Sequence, residues 1–141
     1  MAAASRARLT WFAVASCVGI LYLVVGLVSA SLANPAASHD VRFGWRLAAW
    51  LISGAIFVAQ VGYERLRLRN AAASASFHSA LAAGLGGFML AVAATVHTSR
   101  AAGVDYRYGL ALVVWPIVTA LPAFIVALVL SVIVRPRPWN V

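Results

Sequence analysis

An all-α integral membrane bundle of four helices, with both termini cytoplasmic and an Ala/Gly-rich third helix at its centre, is the fold this sequence predicts. Three observations predict it. The chain has four long uncharged stretches, 64% of its 141 residues are apolar while only 10% are charged, and most of the charges fall in the short segments between the stretches. A soluble domain averages about 45–50% apolar and about 25% charged residues. A helix rising about 1.5 Å per residue needs about 20 apolar residues to cross a hydrocarbon core of about 30 Å. On that scale transmembrane helices are expected over about 9–33, 45–67, 73–98 and 108–134, forming one polytopic membrane domain over residues 1–141. Loops are expected over 34–46, 64–70 and 100–107, and no soluble domain is left over.

The first stretch follows Arg6 and Arg8. It competes with a cleaved signal peptide ending at Ser31-Leu32-Ala33, but its apolar run exceeds the about 7–15 residues of such a segment, so a retained helix is expected. Its Cys17 is the chain's single cysteine, which excludes an intramolecular disulfide and any cluster held by several cysteines. It is read as a small buried residue.

The second stretch is shorter, with an uncharged run over 47–63 bounded by Arg46 and Glu64, which can reach toward the headgroups. Arg46, Ser53, Gln60 and Arg67 repeat at sevens, and Glu64 lies one turn beyond Gln60, which gives this helix a polar face. With the following turn centred near residues 71 and 72, Glu64 stands level with His78 and Ser79, and Gln60 stands opposite Ala83. Gln60, Glu64, His78 and Ser79 are therefore the candidate polar or proton site. The plain use of such a group is an interhelical hydrogen bond worth about 1 kcal/mol. The functional use is a proton-linked one, since imidazole changes charge near physiological pH. Arg65 stands beside Glu64 and is available to neutralise it.

The third stretch is built from Ala, Gly and Ser. Ser76, Ala80, Gly84, Gly87 and Ala91, continued by Thr95, recur at steps of three and four and form one helix-packing stripe. Ser79, Ala83, Gly86, Ala93 and His97 form a second stripe beside it, while Leu85, Met89, Val92 and Val96 gather on another face. Small residues let helix backbones approach closely, so this helix is expected at the centre with the second against it.

The fourth stretch is rich in Val, Leu and Ile, as a lipid-facing wall would be, and contains Pro116 and Pro122. Each proline lacks the N–H that would bond four residues back, so the carbonyls of Leu112 and Val118 lose a partner. A kink or hinge is expected there, with Thr119 available to satisfy one freed carbonyl.

Charge distribution orients the chain. With a cytoplasmic N-terminus, the inner segments hold seven of the eleven arginines (6, 8, 65, 67, 69, 135 and 137) and the outer ones hold Arg42, Arg46, Arg100 and Arg107. The positive-inside rule then places both termini in the cytoplasm of a multi-pass protein of the cell (plasma or inner) membrane. Trp11, Tyr63 and Trp139 fit an inner aromatic belt, and Phe43, Trp45, Tyr106 and Tyr108 an outer one.

The same inventory narrows the chemistry. The absence of lysine excludes Schiff-base and P-loop mechanisms. Asp40, Glu64 and Asp105 are too far apart in sequence to suggest a carboxylate pair. The net charge of +8 is dispersed in short clusters, so no nucleic-acid surface is expected. His78 and His97 are nineteen residues apart on one helix, about 28 Å along its axis, and cannot share a haem or a metal. His39, Asp40, His97 and Asp105 fall on one side of the membrane as a weak metal-ligand set, but neighbouring arginines would pair more readily with the aspartates, so no metal and no cofactor is expected.

These observations point to a non-enzymatic assembly or accessory module of the lipid bilayer that forms a homo-oligomer or joins a larger membrane complex, with the third helix supplying the contacts. The alternative is a small transporter or channel subunit with a polar path near Gln60 and Glu64. A haem or metal-binding membrane protein comes third.

Overall fold

The computed structural model describes residues 2–33, 38–102 and 106–134, with side chains described over 10–33, 38–98 and 109–134. Four helices follow one another: α1 (Ala2–Ala33), α2 (His39–Leu66), α3 (Ala72–Ala102) and α4 (Tyr106–Ile133). Each contains a span long and apolar enough to cross a membrane: Thr10–Ala33, His39–Leu66, Ala72–Thr98 and Gly109–Ile133. Outward apolar side chains such as Trp50, Leu51, Val113 and Ile133 are exposed on the isolated chain. Hydrocarbon covers such a face at no cost in a bilayer, so the four helices form a multi-pass membrane bundle.

Two loops are shorter than the charge pattern suggests. α2 begins at His39, because Ser38 caps it: the Ser38 hydroxyl accepts from the Val41 N–H, and Asp40 lies in the positive first turn. Arg42, Phe43 and Trp45 are therefore helical. α3 likewise continues to Ala102, so little of 100–107 is left as connection.

Neighbouring helices run in opposite directions, which brings the start of α1, the end of α2, the start of α3 and the end of α4 to one end of the bundle. We call this the terminal end. α3 touches all three other helices, and among the described residues α1 and α4 do not touch. Its small residues explain the position. A side chain at Gly86 would meet Tyr22 Cβ at 2.7 Å, one at Gly87 would meet Thr119 Oγ1 at 2.5 Å, and one at Gly84 would meet Ala120 Cβ at 3.2 Å. One small face of α3 thus receives α1 and the other receives α4, and Ser76, Ala80 and Ala91 of the packing stripe are buried. The approach is reciprocal on α1, where Leu85 packs onto Gly19 and Leu90 onto Gly26. Leu85 therefore belongs to a helix contact.

Three expectations are corrected. α2 packs most extensively on α1, and its contacts with α3 and α4 include the Glu64–His78 pair and the Arg65 bonds at the terminal end. Cys17 is exposed, because Ala15 and Gly19 occupy the inward face of α1. Pro116 and Pro122 both lie inside the single helix α4, and the Thr119 hydroxyl bonds to neither the Leu112 nor the Val118 carbonyl, which corrects the role expected of it. It lies 2.9 Å from the Trp115 carbonyl, one turn back as in any helical threonine, and 3.1 Å from that of Pro116.

Candidate functional site

The polar residues of α2 and α3 meet at the terminal end. Glu64 is 0% exposed, and Gln60, Ser76 and Ser79 are buried with it. Such burial of a carboxylate is costly unless partners satisfy it. One oxygen, Oε2, is well served: Asn70 Nδ2 donates to it, and His78 Nδ1 lies 3.1 Å away. When Glu64 is ionised, Nδ1 carries the proton that the carboxylate accepts. The His78 ring is stacked on Trp11 of α1, with centroids 4.4 Å apart and planes within 1°, so three helices hold the pair.

The turn between α2 and α3 places Asn70. α2 ends as the Arg67 and Leu68 N–H groups bond to the Tyr63 carbonyl, at 2.9 and 3.1 Å. Arg69 then adopts a left-handed conformation with φ 52°, and the Asn70 N–H returns to the Glu64 carbonyl at 3.0 Å. Backbone and side chain of Asn70 thus both bond to Glu64. The turn is centred a few residues earlier than 71 and 72, and the level of Glu64 with His78 is preserved.

Arg65 does not neutralise Glu64. Its Nε donates to the carbonyls of Ser131 and Val134, at 3.0 and 3.3 Å, and its Nη1 donates to the Asn70 carbonyl at 2.6 Å. The last carbonyls of α4 have no partner within their own helix, and a cation suits the negative end of the helix dipole. Arg65 caps α4 from α2 while also fixing the turn.

The other carboxylate oxygen, Glu64 Oε1, is buried with no protein partner, as are both amide atoms of Gln60 and the hydroxyls of Ser79 and Ser131. Gln60 lies one turn from Glu64 on α2, and Ser79 follows His78 on α3, so these buried polar groups belong to the same end of the bundle.

Farther from the terminal end, α2 separates from α3 and α4 and leaves a cleft of about 550 Å3 lined by all four helices. Gly26, Ala49, Gly54, Ala83, Gly86 and Gly87 provide much of its wall, with Trp50 at its edge. Tyr22 and Thr119 line it too, and the Tyr22 hydroxyl is buried without a partner. These residues lie well inside the spans, so the cleft lies at the depth of the hydrocarbon core. Of the two predicted hinge prolines, Pro122 lines the cleft and Pro116 packs near Gly84.

Among the described residues, the weak outer metal set does not assemble. His39 and Asp40 lie 3.7 Å apart, both exposed at the start of α2, and His97 is exposed on α3. Asp105 lies outside the described residues. Among the described residues, no three His, Cys, Asp or Glu side chains come together.

Sequence reasoning missed Trp11, Asn70, Arg65 and Ser131 as members of the polar cluster. Asn70 carried one signal, as the uncharged polar residue closing an arginine-rich turn. Trp11 is accounted for in the sequence by the membrane interface alone, and Arg65 is read there as a partner of Glu64 rather than of the α4 carbonyls. Compared with known protein families, curated proteins and solved structures, the chain matches none.

Proposed function

We propose that this chain is a non-enzymatic assembly module of a cell membrane, inserted with both termini in the cytoplasm, which associates with a second copy of itself or with a larger membrane complex. The cleft between α2 and the α3–α4 pair carries this reading. In a membrane, helices associate through small residues that let backbones approach, and the cleft wall is of that kind. The small stripes of α3 are used within the chain to hold α1 and α4, so the contact surface moves from α3 itself to the cleft and the open side of α2. A path through the molecule is less well supported: the cleft wall on α2 ends at Phe57, and the buried polar cluster begins only at Gln60.

Gly54 provides the test. It lines the cleft, and a Cβ added there meets nothing within 4 Å in the chain. Gly54→Leu should leave the monomer folded while filling the space an incoming helix would use. Subunit counting by single-molecule photobleaching in bilayers should show the wild type as an oligomer and Gly54→Leu as a monomer. A wild type that remains monomeric and purifies with no other membrane protein would refute the proposal.

A further inference from the structure

The terminal end carries a basic rim at headgroup depth. All four spans reach it: that of α1 starts at Thr10, that of α2 closes at Leu66, that of α3 opens at Ala72 and that of α4 closes at Ile133. An arginine lies close in sequence to each boundary: Arg8 before Thr10, Arg67 after Leu66, Arg69 before Ala72 and Arg135 after Ile133. The segments of this end hold seven arginines against one acid, a formal +6, while those of the opposite end hold four against Asp40 and Asp105, a formal +2. The one acid, Glu64, is fully buried and turned toward Asn70 and His78, so it does not face the surface.

Charge at a span end orients a chain, and two features of the turn between α2 and α3 go further. The turn is tied down. Asn70 bonds to Glu64 through both its backbone N–H and its side chain, and Arg65 Nη1 donates to the Asn70 carbonyl, which fixes the left-handed Arg69 at φ 52°. The side chains of Arg67 and Arg69 are exposed on this fixed turn. The second feature is chemical: all eleven basic residues of the chain are arginine. Lysine and arginine orient helices equally well, whereas the planar guanidinium fork matches two oxygens of one phosphate.

We propose that this turn seats the headgroup of an anionic glycerophospholipid, with Arg67 and Arg69 recognising its phosphate and the arginines at the adjoining ends of α1 and α4 adding to the attraction. The charge of the surface and its depth select this partner. It must be anionic, lie where the spans end, and present oxygens to a guanidinium. A phosphodiester headgroup with no amine of its own meets all three conditions. A zwitterionic headgroup offers the same phosphate but brings a cation into the field of a +6 surface. Leu66 and Phe77, exposed in the spans on either side of the turn, offer apolar surface to the acyl chains. The seat is at the opposite end of α2 from the exposed Arg42 and Arg46, which supply a control of equal charge.

The experiment offers the full chain, in a non-ionic detergent, phosphatidylglycerol or phosphatidylcholine with identical acyl chains, and counts bound lipid by native mass spectrometry. We expect phosphatidylglycerol to be retained at about fivefold lower concentration or better, with a preference that shrinks as ionic strength rises from about 0.05 to about 0.5 M. Arg67→Gln combined with Arg69→Asn should remove most of that preference, and asparagine suits the left-handed backbone at 69. Arg67→Gln alone keeps every backbone bond of the turn and should lower the preference by about two- to fivefold, which decides the matter if the double variant does not fold. Arg42→Gln with Arg46→Gln should leave it unchanged, and circular dichroism checks that each variant is folded. Equal retention of the two lipids, an unchanged preference in folded Arg67→Gln, an equal loss in Arg42→Gln with Arg46→Gln, or displacement of the lipid by equimolar inorganic phosphate would each overturn the site.

Discussion

Glu64 and Arg65 are consecutive in the sequence, yet they serve different helices. The carboxylate turns into α3, and the guanidinium reaches the last carbonyls of α4. Charge counting assigns Arg65 to the cytoplasmic face by the same logic as Arg67 and Arg69, and nothing in the spacing separates the three. The distinction comes from the fork of the guanidinium, which can donate in several directions at once. Arg65→Lys retains the charge but loses this geometry, and leaves carbonyls at the end of α4 uncapped. Its expected cost is about 1–3 kcal/mol of stability, measured by denaturant titration in detergent. Arg67→Lys, at an exposed position, should be neutral, and equal stability of the two variants would show that Arg65 acts only as a charge. Gln60 and Glu64, by contrast, were legible from sequence because a polar residue in an apolar stretch has few alternatives to facing inward.

At the scale of elements, the Ala/Gly-rich pattern of α3 points to a central helix, and the structure specifies which neighbour each face receives. Gly86 faces Tyr22 of α1, and Gly87 faces Thr119 of α4. The two glycines are adjacent, so their directions differ by about 100°, enough to address two helices. Gly86→Leu and Gly87→Leu should each destabilise the bundle by about 1–3 kcal/mol or more through overpacking. Leu128→Ala, at a position 37% exposed on α4, should lose less than either. Thermal unfolding monitored by circular dichroism would rank them, and a tolerated Gly86→Leu would contradict the close α1–α3 approach. The end of α2 was harder to anticipate. The sevenfold polar pattern suggests a face that points inward along the whole helix, but Arg46 and Arg67 are exposed and Ser53 is half-buried, so only the segment at Gln60 and Glu64 is enclosed.

For the whole molecule, the arginine asymmetry predicts an orientation that can be measured directly. In a Cys17→Ser background, Ser38→Cys should be labelled by an impermeant maleimide from outside intact cells, and Arg69→Cys only after the membrane is opened. The reverse pattern would invert the topology and place Glu64 near the outer face. The bundle is closed at its terminal end by bonds among α2, α3, α4 and the turn, and open where α2 parts from α3 and α4. An assembly partner is expected at the open part. Gly54→Leu should alter the oligomeric state, and Gln60→Leu, in the closed part, should leave it unchanged.

The sequence by itself determined the four spans, the central place of an Ala/Gly-rich helix and the level of Glu64 against His78. Each of these follows from local quantities: length against membrane thickness, side-chain size along one helix, and register across one short turn. Only the tertiary structure decided that Arg65 caps α4, that Trp11 stacks on His78, that α2 leans on α1, and that Gln60, Glu64 and Ser79 keep unpartnered oxygens. Those outcomes depend on the rotation and tilt of helices that share no short connection. In a bilayer a lipid-facing surface and a helix-facing surface can be equally apolar, so composition does not choose between them.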